Sequence, residues 1–243
     1  LDGGRKWVRL KDGLPTIAVR DLCIQRQMND LVVGTFGRGI YVLDDYSALW
    51  NLAANKPSDP ATLFPTRDAV LFIPSEQYGL KGKAFQGESF YTADNPPYGA
   101  VFTYHLKDGL KTKKQLRQEA EKRGELKYPT PAELRAEAQE EEPAILLKVV
   151  NEQGGIVRVV SGPVTKGFHR VAWDLRDSSV FLRTRGNEEY GDLFGPDQRG
   201  PLVLPGDYKA FLMKRVNGVE TRVTPDVKFK VAADAIDPVP DAD

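Results

Sequence analysis

The chain has 243 residues, with 34 Lys and Arg against 34 Asp and Glu, so its net charge is zero. That balance leaves no global field to draw it onto nucleic acid or an anionic membrane. Hydrophobic residues make up 41% with three tryptophans, enough for one large or two modest cores, and no apolar run is long enough to insert into a bilayer.

The first seven residues contain Asp2, Gly4 and Trp7 in the order Asp-x-Gly-x-x-Trp. The spacing suits a tight turn between strands. Asp2 accepts turn amides, Gly4 supplies a positive φ, and Trp7 packs into the sheet. No signal-peptide pattern opens the chain. Residues 7–10 and 19–24 read as strands. In the second, Val19, Asp21 and Cys23 share one face, and Arg20, Leu22 and Ile24 the other. Cys23 is the only cysteine and has no disulfide partner within the chain. In an alternating strand it reads as a buried structural thiol.

Residues 29–45 (NDLVVGTFGRGIYVLDD) hold two apolar runs, 31–35 and 40–43, around Phe36-Gly37-Arg38-Gly39. This is a hairpin pattern with its turn on Gly37 and Gly39. Arg38 has two readings. It is an anion or sugar ligand, or a turn residue whose guanidinium satisfies nearby carbonyls, Asp44 or Asp45. The turn lacks the strand-loop-helix setting of a phosphate loop.

Asp2, Gly4 and Trp7 resemble the Asp-box of BNR repeats, found in sialidase-type β-propellers and sortilin-like proteins. The usual Ser two places before the Asp is not present here. The string from Asp30 to Asp45 is similar to bacterial, sortilin-like BNR propeller proteins. The resemblance implies that Asp2, Gly4 and Trp7 are structural and lie away from any active site. It implies that residues 1–50 are terminal blade strands of a secreted or periplasmic protein. A few blade strands alone leave an apolar face and bare edges. The expected partner is therefore the missing propeller blades or a second copy of the chain. Carbohydrate and peptide are the implied ligand classes.

Residues 51–84 read as a connector. A short helix over 46–54 carries Trp50 as an anchor, and residues 56–60 (KPSDP) break regular structure. Residues 69–73 add one strand, and 74–83 form a Gly-rich loop.

Over 85–232 the pattern predicts strands at 88–91, 100–106, 144–151, 155–160, 168–175, 208–216 and 227–231. That number of short strands with turn signals reads as a β-sandwich. Val171 and Trp173 share an inward face, Gly206 makes a turn, and Tyr208 starts the last long hairpin. Trp173 and Tyr208 read as core residues. The order Asn151, Gly154, Gly155, then His169, Val171, Trp173, then Gly206 and Tyr208 resembles immunoglobulin-like accessory domains of bacterial secreted proteins. Residues 110–142 interrupt the strands with a charged helical hairpin. One helix over 111–124 ends at Gly124, and a second over 131–141 opens on a capping box, Thr130-Pro131-Ala132-Glu133. Its mixed charges and single aromatic, Tyr128, suit a solvated face rather than nucleic acid. Residues 233–243 read as a disordered tail.

Chemistry is sparse. His105 and His169 both fall in strands, and neither they nor Cys23 show metal-ligand spacing. There is no Gly-x-Ser-x-Gly elbow and no legible pair of glycosidase carboxylates. In the loop from 177 to 200, the cluster Glu188, Glu189 and Asp192 offers oxygen ligands for Ca²⁺ without the spacing of a calcium loop. Phe181, Tyr190 and Phe194 there either stack on sugar or pin the loop. No catalytic residue, cofactor or metal site is assigned. The expected fold is mainly β, with partial β-propeller blade strands and an immunoglobulin-like β-sandwich carrying an inserted helical hairpin. The expected role is a non-catalytic accessory or interaction module. The alternatives are part of a glycoside hydrolase or sialidase-like enzyme, with Arg38 on its rim, and a peptide-binding sortilin-like propeller terminus.

Overall fold

A computed structural model describes residues 4, 5, 7, 13, 14, 16–54, 59–73, 96–125, 128–179 and 200–233. The chain is mainly β. It divides into two units, Leu1–Ser58 and Asp59–Asp243.

In the first unit, Gly37 and Gly39 adopt φ +74° and +80°. They allow the chain to reverse between β2 (Asp30–Thr35) and β3 (Ile40–Leu43). Thr35 closes the turn, its N–H and its hydroxyl both donating to the Gly39 carbonyl. β1 (Val19–Gln25) pairs antiparallel with β2, giving the order β1-β2-β3. The register places Leu22, Val33 and Tyr41 in one row and Ile24, Leu31 and Leu43 in the next. The opposite face carries Cys23, Val32 and Val42 in one row and Asp21, Gly34 and Ile40 in another. Every residue of β1 is exposed. Cys23 is therefore an exposed free thiol and not the buried one its alternation suggests. Alternation assigns a residue to a face, and here neither face of β1 is covered. A register irregularity between Val19 and Asp21 also breaks the expected sharing of a face along β1. Helix α1 (Ser47–Ala54) follows. Trp50 stands edge-on to Tyr46 at 4.8 Å and stays half-exposed.

The second unit begins inside the stretch expected to be a connector. β4 (Ala61–Leu63) and β5 (Ala69–Leu71) contribute Ala61, Leu63 and Ala69 to its core. β6 (Ala100–Leu106) alternates perfectly between buried and half-buried residues. The remaining strands are β7 (Ala144–Asn151), β8 (Ile156–Gly162), β9 (Gly167–Trp173), β10 (Gly206–Val216), β11 (Val219–Arg222) and β12 (Val227–Ala233). They form a sheet ordered β5-β12-β10-β7-β8, with β11 on β10, and a sheet ordered β4-β6-β9. β8 also contacts β9, so the strands curl into a half-barrel around one core. The expected strand at 88–91 lies outside the described residues, as do the 74–83 loop and almost all of the 233–243 tail.

The core is an aromatic cluster. Trp173 is fully buried, as expected, 5.5 Å from Tyr208 and 6.1 Å from Phe229, and Phe102 stands edge-on to Phe229 at 5.2 Å. The polar ends are satisfied. Trp173 Nε1 donates to the Arg176 carbonyl (2.8 Å) and the Tyr208 hydroxyl to that of Leu204 (2.7 Å). Gly206 opens β10 opposite Val231, so it belongs to the strand rather than to the turn before it.

Between β6 and β7 stand α2 (Lys113–Lys122) and α3 (Pro131–Ala138), each begun by a full capping box, Thr112 with Gln115 and Thr130 with Glu133. α2 ends in a Schellman motif. Gly124 at φ +92° donates to Glu121, and Glu125 to Ala120.

Candidate functional site

The β1-β2-β3 sheet gathers most of the residues singled out in the first unit. Arg38 sits at the exposed hairpin tip, and among the described residues it holds neither a hydrogen bond nor an ion pair. The expected capture by Asp44 or Asp45 is thus not formed. The Asp45 amide is instead held by the Asp30 carboxylate at 2.9 Å. Arg20 lies over the Phe36 ring at 4.9 Å, beside the same turn. Gly4 has φ +82° with the Trp7 ring against it, as a tight turn requires. Trp7 is 88% exposed and does not pack into a sheet. Asp2 lies outside the described residues.

What this sheet offers is apolar surface. Leu22 (61% exposed) and Ile24 stand on one face, and Ile40 (73%) and Val42 on the other. An ordinary antiparallel sheet buries one face and wets the other. This one buries Val33 on the Leu22 face yet leaves aliphatic side chains exposed on both.

The histidines do not form a catalytic pair. They lie on adjacent strands, His169 opposite Tyr104 and His105 opposite Phe168, so they point to opposite faces. His169 Nε2 is 2.6 Å from the Thr165 carbonyl, which can only accept, so that nitrogen carries the proton. His105 Nδ1 is buried without a partner. Burial, then the charges of Lys166 and His169, push the His105 pKa down and keep the ring neutral. Among the described residues no group of three or more His, Cys, Asp or Glu side chains could hold a metal ion. The acidic cluster at 188–192 and the rings of Phe181, Tyr190 and Phe194 lie outside the described residues.

No family model matches the chain, and no curated protein matches it. No helix among the described residues is long and apolar enough to cross a membrane.

The second unit holds a feature that the sequence did not reveal. A cleft of about 500 Å³ lies between the β7–β8 turn and the stem of the 177–200 loop, with Glu152, Asp177 and Asp207 on its walls. The stem is tightly held. Asp177 donates to Pro201, Val203 to Leu175, and Arg176 Nη1 to Gly200. Leu175 is completely buried at φ +54°, a strained position for a branched side chain. The Tyr208 hydroxyl is made less acidic by burial and then by the charges of Asp177 and Glu152. Pocket residues come from three distant segments, so no local spacing announces them.

Proposed function

We propose that this chain is a non-catalytic interaction module of an exported BNR-repeat propeller protein. In this reading β1-β2-β3 are blade strands that pack between neighbouring β-sheets, and the second unit is an immunoglobulin-like accessory domain. One observation carries it: aliphatic side chains are exposed on both faces of the three-stranded sheet. A sheet built to lie between two others needs that distribution, whereas a half-solvated sheet does not. Covering the exposed half of Leu22, Ile24, Ile40 or Val42 would contribute roughly 1 kcal/mol each. Arg38, exposed at the hairpin tip, is the side chain best placed to meet a carbohydrate or peptide at a rim.

The test is binding of an apolar dye, anilinonaphthalene sulfonate, to the folded chain. Leu22→Lys with Ile40→Lys, one change on each face, is expected to remove most of the fluorescence. An unmodified chain that binds no dye has its sheet covered, and the reading fails. Hydrolysis of aryl glycosides by the chain would overturn the non-catalytic assignment.

A further inference from the structure

The outer face of the β4-β6-β9 sheet holds a titratable ring in a place with no acceptor for a second proton. One cross-strand row runs Thr62, His105, Phe168 over the three strands. The His105 ring lies 5.0 Å from that of Phe168, on which Phe64 stacks at 5.7 Å. Phe64 is itself almost wholly buried. His105 Nδ1 is enclosed in this layer without a hydrogen-bond partner. That nitrogen is therefore the bare one of the neutral ring. Protonating it would create a buried N–H with nothing to receive it, which is costly.

The surrounding charges add to that cost. Lys166 in the β8–β9 turn and His169 of β9 both oppose a positive ring. The next charge along β9 on the same face is Arg170, opposite Thr103 and again a cation. From β4 and its end come only Thr62 and Phe64, which are uncharged. No carboxylate stands among the groups that act on the ring.

The strand able to yield is β4. It is an edge strand of three residues, against seven each in β6 and β9. Beyond its own ladder it has one backbone bond at each end. The Phe64 N–H donates to Thr103 and the Lys107 N–H to Pro60, both at 3.0 Å. Short edge segments with few bonds are the ones that open locally.

We propose that His105 is a proton-operated latch for β4. The neutral ring closes the layer against Phe168. The charged ring turns out to water, and β4 leaves the sheet edge with Phe64, uncovering Tyr104 where Leu63 had paired with it. The folded ring binds its proton less readily than the unfolded one, which sets the direction. The latch is closed above the ordinary histidine value and is released as pH falls through that value toward the lower folded one. One proton per opening raises the open population by up to about tenfold for each pH unit.

The test is amide exchange on the full chain between about pH 7.5 and about pH 5, with protection taken relative to the intrinsic rate at each pH. This window lies above the carboxylate range, so acid effects on the helical insert stay out of it. Protection of the Phe64 and Lys107 amides is expected to fall about tenfold or more across it, while β7 and β12 keep theirs. His105→Phe should abolish the fall and retain protection at the upper pH. Should that variant not fold, His105→Gln is read in the same way. His169→Gln should keep the fall. Unchanged protection in the parent chain overturns the proposal, as does a fall that survives replacement of His105. A fall lost in His169→Gln assigns the proton to the other histidine, and an equal fall in β7 and β12 makes the event global unfolding. Either result also overturns the latch.

Discussion

Gly99 lies directly against the main chain of Trp173, where a Cβ would collide with the tryptophan carbonyl oxygen. Its φ of +100° is also one that side chains avoid. The contact sits where β6 begins, Ala100 being paired with Trp173. Gly99→Ala is expected to destabilise the second unit by about 2–4 kcal/mol, from backbone strain plus overpacking. Urea unfolding would measure it. A midpoint within error of the parent would mean that this junction relaxes freely.

Trp173 is the centre of the aromatic cluster, and its indole N–H caps the Arg176 carbonyl. Trp173→Ala is expected to cost about 4 kcal/mol, since it leaves a large cavity and removes the indole hydrogen bond to the Arg176 carbonyl. Near-ultraviolet circular dichroism should lose most of its tryptophan signal. If the signal survives, Trp7 and Trp50 would be in fixed environments, contrary to their exposure.

The helical hairpin should be sensitive to acid. Hydrogen bonds from Arg117 hold the Glu137 carboxyl below the usual carboxylate range. A depressed folded-state pKa means that the stabilisation is present above the unfolded value and is lost as pH falls through the folded one. Amide protection in α2 and α3, taken relative to the intrinsic exchange rate at each pH, should therefore fall below the ordinary carboxylate range, while the strands of the same unit other than β4 stay protected. Glu137→Gln should exchange quickly already at neutral pH and lose that acid step. A step that persists in Glu137→Gln would assign it to another carboxylate, such as Glu119 with Lys111.

Cys23 should react with a thiol reagent in the native state. The labelling rate should barely change on adding denaturant, and Cys23→Ser should shift stability by no more than about 0.5 kcal/mol. Labelling seen only after unfolding would put the thiol under cover and contradict the open face of β1.

These residues show how far the sequence could be read. The 29–45 hairpin was legible because two apolar runs flank a turn with glycine at both positive-φ positions. β6 matches its expected bounds because its alternation over seven residues is unambiguous, and β7 because it is an almost continuous apolar run between Pro143 and a Gly-containing turn, as suits a strand paired on both edges. β4 was missed: three residues after Pro60 are too few to show a period. β11 was missed because Val219–Arg222 is a fully exposed edge strand, and burial is what produces a pattern. Thr112 and Gln115 form the same capping box as Thr130 and Glu133, but without the proline at the first helical position that marks the second one in the sequence. Cys23 is exposed although its strand alternates, because coverage depends on neighbouring layers, which no local spacing encodes. The cleft beside Tyr208 needs three-dimensional juxtaposition for the same reason.

The parallel pairing of β5 with β12 has a consequence for biosynthesis. Ala69 near the start of the second unit lies opposite Val231 near its finish, and the Asp68 carboxylate accepts the Lys230 amide at 2.9 Å. A nascent chain leaving the ribosome therefore carries β5 for some 160 residues before its mate emerges. Throughout that interval Phe229 is missing from the aromatic cluster, and once β10 has emerged its edge stands open until β12 follows. Folding of this unit is expected to be slow, late and a natural point of call for chaperones.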